Sequence, residues 1–188
     1  MKGKMTEKAL IEKVLNGDRN AFRKIVEQYE STVAAAVYGM LGRCSEAEDI
    51  GQEVFIRFYN ALGRFRGDST IKTYLTRIAI NLSLNELNRR KRRKQLFETS
   101  ISEKMDDIKE PEETSWKEDW EIIHKALGRL DEKYKSVLVL RLINGYSTRE
   151  AAQILKLPAG TVLSRLSRAQ EKLKSILTLK LRENHHGV

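Results

Sequence analysis

Cysteine, histidine and proline are all scarce in this 188-residue chain, and their scarcity excludes several classes of protein. The single cysteine, Cys44, rules out an intramolecular disulfide, and one cysteine with three histidines cannot supply the ligand spacing of a zinc finger. No run of about eighteen apolar residues is present to cross a membrane. The N-terminus, "MKGKMTEKAL", lacks the apolar core of a signal peptide. These absences predict a protein that stays in the cytoplasm.

Motifs for catalysis are also missing from the sequence. It contains no phosphate-binding P-loop, no glycine fingerprint for dinucleotides, no zinc-protease motif and no nucleophile elbow. Two pairs of adjacent carboxylates, at 106–107 and 112–113, lie in a segment that offers no rigid scaffold to position them. The sequence therefore predicts a protein without catalytic activity of its own, and we expect no cofactor, metal or small-molecule substrate.

The net charge of +9 is distributed in three blocks along the chain. Residues 1–94 carry 19 Lys and Arg against 11 Asp and Glu, residues 95–121 carry 3 against 10, and residues 122–188 carry 13 against 5. Two basic blocks predict two surfaces that bind a polyanion. The acidic middle block contains Pro111 and few large apolar residues before Trp116, a composition typical of a linker.

Apolar residues recur at helical spacing through both basic blocks, which predicts an all-α fold. We expect two small helical domains, residues 1–94 and 116–188, joined by an acidic flexible linker over residues 95–115. Helix starts are predicted at two capping aspartates and at three capping boxes. The predicted caps are Asp18 and Asp131, and the boxes are Ser45 with Glu48, Ser115 with Glu118 and Ser147 with Glu150.

One long helix is predicted to begin near Thr70 and to run into six consecutive cations, residues 89–94. A polar stripe recurs along it at spacings of four, four, three and four, formed by Arg77, Asn81, Asn85, Asn88 and Arg92. Asparagine is a poor helix former, but its amide can hydrogen-bond to base edges, and arginines can bind phosphates. A solvated helix face is the alternative interpretation. The continuation of the stripe into the cations favours nucleic acid.

The C-terminal block contains a short helix, a tight turn "LPAG" and a longer basic helix, an order typical of a helix-turn-helix. The apolar side of the second helix consists of Val162, Leu166, Ala169, Leu173 and Ile176. This pattern leaves two serines and two arginines, residues 164, 165, 167 and 168, facing outward. Small hydroxyls between arginines suit a helix that enters a major groove, whereas a basic surface helix on a bundle is the alternative.

These segments resemble the extracytoplasmic-function sigma factors of bacterial RNA polymerase. The stretch "EAEDIGQEVFIRFYNALGRFRGDSTIKTYLTRIAINL" resembles the second conserved sigma region, and "LGRLDEKYKSVLVLRLINGYSTREAAQILKLPAGTVLSRLSRAQEKLK" resembles the fourth. The resemblance covers about residues 8–94 and 116–178. It implies a factor that binds core RNA polymerase, recognises −35 and −10 promoter elements and promotes DNA melting and transcription initiation.

The resemblance also implies roles for individual residues. The clamp helices of the largest polymerase subunit would contact Asp49, Gln52, Glu53 and Ile56. The −10 element, with a flipped base held near Asn81, would contact Phe65, Arg66, Gly67, Asp68, Ser69, Arg77, Asn81, Asn85, Asn88, Arg89 and Arg92. The −35 element would contact Arg149, Thr161, Leu163, Ser164, Arg165, Ser167 and Arg168. The implied partners are core RNA polymerase (clamp helices and flap), promoter DNA and a cognate anti-sigma factor.

Departures from the family pattern and two alternative functions stay open. Leu163 stands where the family often has Lys or Arg, Tyr74 where it often has Trp, and Asn85 near where it usually has Asp or another charged residue. Leu163 could contact a thymine methyl, shift the promoter preference or pack against another protein. A stand-alone helix-turn-helix repressor or activator would explain residues 131–178 but would leave the exposed face of "DIGQEVF" without a role. A non-DNA adaptor would use its basic helices to bind an acidic protein.

Overall fold

The computed structural model describes the backbone of residues 6–98 and 115–185 and the side chains of residues 6–96 and 122–178. Within these ranges the chain forms eight α-helices and no strand, which confirms the predicted all-α fold. Most of the predicted linker, including all of residues 99–114, lies outside the described residues. The proposed domain boundaries stay a prediction.

The N-terminal bundle consists of four α-helices and one short 3-10 turn. In chain order these are α1 (Glu7–Leu15), α2 (Arg19–Leu41), α3 (Ser45–Ala61), the 3-10 turn (Leu62–Arg64) and α4 (Ile71–Glu98). Its core is formed where the apolar sides of α2, α3 and α4 meet, and Ile25, Val54, Phe58 and Leu75 are fully buried there. Helix α4 continues four residues beyond the predicted end at Lys94, because no glycine or proline interrupts residues 95–98.

The C-terminal bundle contains the other four helices. They are α5 (Ser115–Gly128), α6 (Glu132–Leu138), α7 (Thr148–Leu155) and α8 (Ala159–His185), and α6 continues into a π-helical turn over Val139–Ile143. The predicted apolar side of α8 is confirmed: Val162 and Ala169 are fully buried, and the other three residues pack against the core. The π-helical turn presents Val139 and Leu140 to the interior.

Two of the predicted helix starts are confirmed in detail. The Asp18 carboxylate accepts hydrogen bonds from the backbone N–H groups of Asn20 and Ala21 at 2.9 and 3.1 Å. Ser147 and Glu150 form a complete capping box, in which Glu150 N–H donates to Ser147 Oγ and Ser147 N–H donates to Glu150 Oε2. This capping box fixes the beginning of α7, the first helix of the helix-turn-helix.

The remaining predicted caps differ from the structure or lie outside it. Helix α3 includes Ser45 as its first residue, so Cys44 stands at the cap position without a side-chain bond, and the predicted Ser45–Glu48 box is wrong. Asp131 occupies the cap position of α6 but makes no capping bond, and its carboxylate instead pairs with Lys172 of α8 at 3.5 Å. The side chains of the predicted box at 115 and 118 lie outside the described residues.

The two bundles contact one another through α2 and α4 on one side and α6, the π-helical turn and α7 on the other. Met40 and Ile80 of the N-terminal bundle share one buried cluster with Val139, Leu140 and Tyr146. Helix α4 thus contacts the N-terminal core through one face and the C-terminal bundle through a second. Its third face stays exposed and carries the polar stripe.

Candidate nucleic-acid and polymerase interface

The polar stripe of α4 lies along the outer side of the N-terminal bundle. Asn81, Asn85, Asn88 and Arg92 are exposed, and Arg77 at the beginning of the stripe is half-buried. Because residues three or four apart share one face of a helix, these five side chains form one continuous row. The row offers amide groups in the middle and guanidinium groups at both ends, which suits bases flanked by phosphates.

A cavity of about 140 Å³ opens where the loop before α4 meets the first turns of that helix. The aromatic rings of Phe65 and Tyr74 pack edge to face with centroids 5.2 Å apart, and both also contact the buried ring of Phe58. Gly67 takes a positive φ of 76° that bends the loop around the opening. The lining residues are Arg64, Phe65, Arg66, Gly67, Asp68, Ser69, Tyr74 and Arg77.

The sequence predicted this pocket only in part. The loop residues and Arg77 line the cavity as expected, but Asn81 does not: it lies one turn further along α4, on the exposed stripe. Arg64 and Tyr74 were not predicted to line it, although Tyr74 stands at a position where the resembled family often has Trp. The Nε–H of Arg77 is buried and makes no hydrogen bond to another described residue.

The cationic end of α4 is organised by one acid, Glu86. This side chain is 7% exposed, and its carboxylate accepts hydrogen bonds from Arg89 Nε at 2.6 Å and Arg90 Nε at 3.1 Å, with Arg93 Nη2 at 3.7 Å. Burial raises the pKa of Glu86, but the hydrogen bonds from Arg89 and Arg90 lower it more, and the net pKa is below its ordinary value. At least three of the six cations, Arg89, Arg90 and Arg93, thus have an acidic partner within the protein.

Arg90 joins this cluster to the beginning of α3. Its guanidinium lies 3.3 Å from the Glu46 carboxylate and donates to the Cys44 sulfur at 3.1 Å. This arrangement was not predicted from the sequence, in which the six cations look equivalent. The available signal was the spacing of three, four and seven residues from Glu86 to the arginines, which places all four side chains on one side of a helix.

The outer face of α3 carries the residues that the family resemblance assigns to polymerase. Asp49, Gln52 and Ile56 are exposed, and Glu53 is partly exposed and bonded to Arg57 at 2.7 Å. Tyr59 continues this face and is 51% exposed, although its ring packs edge to face on Phe22. Tyr59 lies three residues after Ile56, so the helical period could have identified it. An apolar centre flanked by carboxylates is the composition of a protein-binding surface.

The recognition helix α8 presents its predicted polar side to solvent. Leu163 is 54% exposed, Ser164, Ser167 and Arg168 are exposed, and Thr161 and Arg165 are partly buried. Ser164 Oγ donates to the carbonyl of Thr161 at 3.1 Å, and this bond fixes the hydroxyl against the first turn. Arg149 is exposed at the beginning of α7. The prediction that Arg165 faces fully outward is therefore only partly correct.

Among the described residues, no helix is long and apolar enough to cross a membrane. Within residues 6–98 and 115–185, no group of three or more His, Cys, Asp and Glu side chains is arranged to hold a metal ion.

Two protein-family models match the chain, one in each helical bundle. Residues 25–93 match sigma-70 region 2, and residues 120–173 match sigma-70 region 4. The RNA polymerase sigma-H factor of Pseudomonas aeruginosa is 36% identical over 94% of this chain and 96% of its own length. The ECF RNA polymerase sigma-E factor of Escherichia coli is 34% identical over 92% of this chain and 95% of its own length.

Solved structures resemble the same arrangement of helices. CnrH, solved with the cytosolic domain of CnrY, superposes with a TM-score of 0.68 at 26% identity, over 90% of this chain and 96% of CnrH. RpoE of Bartonella quintana, solved with the anti-sigma factor NepR, superposes with a TM-score of 0.67 at 23% identity, over 84% of this chain and 96% of RpoE. At this identity the similarity supports the fold alone. The chain therefore belongs to the extracytoplasmic-function sigma factors of the sigma-70 family, which direct bacterial RNA polymerase to promoters.

Proposed function

We propose that this sigma factor reads the −10 element with α4 and its adjoining cavity, and the −35 element with α8. The observation that carries the proposal is the exposure of both cationic surfaces, one on each bundle. A stand-alone repressor would use the helix-turn-helix of residues 148–185 alone. It would leave the α4 stripe, the cavity and the outer face of α3 without a function.

At the −10 element, the cavity beside α4 accepts one flipped base. Unstacking a base costs a few kcal/mol, which a preformed pocket must offset. The rings of Phe65 and Tyr74 supply an apolar wall, and the guanidinium of Arg77, a residue that lines the cavity, supplies hydrogen-bond donors. The exposed asparagines of the stripe then contact neighbouring bases of the same strand. Lys91 and Arg92 bind the phosphates that follow, with release of condensed counterions.

At the −35 element, the exposed side of α8 enters the major groove. Arg165 and Arg168 can donate to guanine or to phosphate, and Ser164 and Ser167 can donate to or accept from base edges. Leu163 offers an apolar contact for a thymine methyl, while Thr161 and Arg149 lie where the flanking phosphates would pass. This assignment predicts a promoter class with at least one important thymine in its −35 element.

The outer face of α3 binds the clamp helices of the largest polymerase subunit. Ile56 and Tyr59 form its apolar centre, and Asp49, Gln52 and Glu53 provide its polar rim. The C-terminal bundle contacts the polymerase flap, and the linker of residues 95–115 joins the two bundles across the enzyme. The chain has no catalytic activity of its own and acts in the cytoplasm, where polymerase and promoter DNA meet.

The chain also has a cognate anti-sigma factor. CnrH, at 26% identity over 90% of this chain, was solved in complex with the cytosolic domain of CnrY, which supports a protein regulator for this chain as well. The two bundles contact each other directly through Met40, Ile80 and Val139. An anti-sigma factor that inserts between them would first have to break this contact.

Run-off transcription with purified core polymerase tests the proposal. Core enzyme is assayed with and without the protein on a promoter library from the source genome, and duplex binding by the protein alone is measured in parallel. We expect new start sites that share a −35 and a −10 sequence, together with weak duplex binding by the free protein. Tight sequence-specific binding without polymerase, and no new start sites, would support the repressor or activator.

A further inference from the structure

A second cavity, of about 210 Å³, lies between the C-terminal end of α2, helix α4 and helices α5 and α6. None of its lining residues belongs to the base pocket or to the two proposed DNA surfaces. At about 30 Å³ for each water molecule, a space of this size could hold roughly seven. Three of its ten lining residues are glycines, and a Cβ added at Gly42 or Gly128 would meet no other described atom within 4 Å. The glycines therefore leave room for a small ligand.

The wall of this cavity contains a buried ammonium group, that of Lys135 on α6. The residue is 6% exposed, and among the described residues its Nζ makes no ion pair and donates to the Met40 carbonyl at 3.4 Å. Burial lowers the pKa of Lys135, Glu132 raises it and Arg90 lowers it, and the net pKa is below its ordinary value. An ammonium has three donors, and burying a charge is costly unless the charge is paired. Lys135 therefore lacks a counter-charge at the position it occupies.

Two more nitrogen-bearing side chains line the same cavity, one from α4 and one from α5. The guanidinium of Arg90 is held in place by the Glu46 carboxylate at 3.3 Å. His124 is partly buried, and burial lowers its pKa, as do the charges of Arg43 and Lys135. Since both of these neighbours act on His124 in the same direction, the electrostatic potential in this part of the structure is positive.

The described acids do not balance the charge of Lys135. Glu86 is shared by three arginines, and Glu46 pairs with Arg90, so neither forms an ion pair with the ammonium. The alternative is that Lys135 only caps α2 through the Met40 carbonyl. The C-terminal end of a helix carries only about half a negative charge. Capping would therefore leave part of the ammonium charge and two of its donors unpaired, whereas a small anion would satisfy both.

We propose that this cavity binds a phosphate group, free or carried by a small metabolite, through Lys135 and Arg90. Lysine binds phosphate as a point charge and arginine binds it with a planar pair of donors. A tetrahedral oxyanion offers acceptors in several directions, which suits donors that come from two different helices. Leu87, Leu127 and the other apolar lining residues limit the access of water, so a charge-assisted hydrogen bond is stronger there than at an exposed surface.

Isothermal titration calorimetry of the full chain tests this site. The probes are inorganic phosphate, pyrophosphate and adenosine monophosphate, at an ionic strength held constant with sodium chloride. We expect one saturable site, which Lys135→Met weakens by about tenfold or more because it removes a charged donor. Methionine is a long apolar side chain that needs no partner, so the fold should be retained, as circular dichroism would verify.

Lys133→Met is the matched control, because Lys133 is exposed on the same helix and does not line the cavity. Its Kd should stay within about twofold of the wild type. Tighter binding of pyrophosphate or adenosine monophosphate than of inorganic phosphate would identify a phosphorylated metabolite as the ligand class. Tighter binding of inorganic phosphate would identify the free ion.

A second readout uses the wild-type chain alone and does not depend on the folding of a variant. His124 lines the cavity, and the other two histidines stand at positions 185 and 186. Added phosphate should shift the ¹³Cε1 NMR signal of His124 with the Kd found by calorimetry and should leave the other two signals unchanged. An unchanged His124 signal at saturating phosphate would overturn the site.

Two calorimetric results would also overturn this proposal. One is the absence of saturable binding, or equal binding by the wild type and Lys135→Met. The other is a loss of phosphate binding in a variant with Lys91→Ala and Arg92→Ala, because the phosphate would then lie on the exposed side of α4. None of these measurements involves transcription, so failure of the phosphate site would leave the proposed promoter recognition intact.

Discussion

Glu86 explains how one helix tolerates six consecutive cations. Its carboxylate is buried on the inner side of α4 and binds Arg89 and Arg90, with Arg93 nearby. The repulsion among the cations is thus partly offset before any DNA is present. The sequence alone did not predict this pairing, because a charge count does not show which side of a helix each side chain occupies. Lys91 and Arg92, which are exposed and do not contact Glu86, are better candidates for binding phosphate.

Glu86→Gln should lower the free energy of unfolding by about 1–2 kcal/mol at pH 7, because the amide cannot replace a charged acceptor for several guanidinium donors. The pKa of Glu86 is below its ordinary value in the fold. Its extra stabilisation is therefore present above the pKa of an ordinary carboxyl and is lost as the pH falls through the folded pKa. Urea unfolding should show a difference between the two proteins that shrinks below about pH 4.

Glu53→Gln is the matched control, because it removes a carboxylate from an exposed pair with Arg57 and should cost less than about 0.5 kcal/mol. A pH-independent difference for Glu86→Gln, or equal effects of the two variants, would show that the buried cluster does not stabilise the fold.

Glu7 links α1 to the helix that carries the −10 surface. Its carboxylate accepts the backbone N–H of Ile71, the first residue of α4, at 3.1 Å and the hydroxyl of Tyr29 at 2.6 Å. Burial and the neighbouring Glu7 carboxylate both raise the pKa of Tyr29. Residue 7 lies outside the matched region 2, which begins at residue 25. A segment that the family match does not include therefore caps α4 next to the base pocket.

Glu7→Ala should cost about 1–2 kcal/mol of stability, since it leaves the backbone N–H of Ile71 and the hydroxyl of Tyr29 without their acceptor. Tyr29→Phe should cost about half as much, because the cap on Ile71 remains. Chemical denaturation of both single variants and of the double variant measures the coupling between them. Strictly additive losses would contradict a shared role of the Glu7 carboxylate.

Two faces of α4 pack against the helical bundles, and its third face is exposed. The exposed cations on α4 should determine the salt dependence of promoter binding. Each phosphate contact contributes about 0.9 to the slope of log K against log salt concentration. Replacing both Lys91 and Arg92 by alanine should therefore reduce that slope by roughly 1.5–2 for the holoenzyme, with little change in stability. Salt titrations by fluorescence anisotropy provide the measurement. An unchanged slope would exclude these two residues from the phosphate contacts.

On helix α8, Leu163 should determine one base of the −35 element. Lysine at this position can donate to the O6 and N7 atoms of guanine, whereas leucine can contact only a thymine methyl. Leu163→Lys should therefore shift the preferred base at one −35 position from thymine to guanine and leave the −10 preference unchanged. Transcription from a library randomised in both elements reads out both positions together. A change confined to the −10 element would show that α8 does not read the −35 sequence.

Over the whole molecule, the sequence predicted the helices and their faces better than it predicted how the bundles meet. Apolar spacing identified the buried side of α8 and the exposed stripe of α4, because both depend on a local period. Gly39 of α2 lies against Val139, which is 100 positions away in sequence. The hydrogen bond between Thr76 and Tyr146 joins residues that are 70 positions apart. A single glycine and two hydroxyl residues form no local sequence pattern from which a contact between the bundles could be predicted.

The same limit applies to the pocket beside α4. The loop and Arg77 follow from the family resemblance, but Tyr74 and Arg64 line the cavity only because the 3-10 turn and the first turns of α4 bring them together. The helical spacing of the polar residues on α4 places Asn81 in the exposed stripe, and the structure shows it there and not in the cavity.

Start-site mapping with core polymerase and three forms of the protein tests the central claim most directly. The forms are the wild type, Arg77→Ala in the −10 pocket and Arg165→Ala on the recognition helix. We expect the wild type to produce start sites with a shared −35 and −10 sequence, Arg77→Ala to relax only the −10 sequence, and Arg165→Ala to relax only the −35 sequence. No polymerase-dependent start sites, or the same change in both elements with either variant, would contradict a two-surface promoter reader.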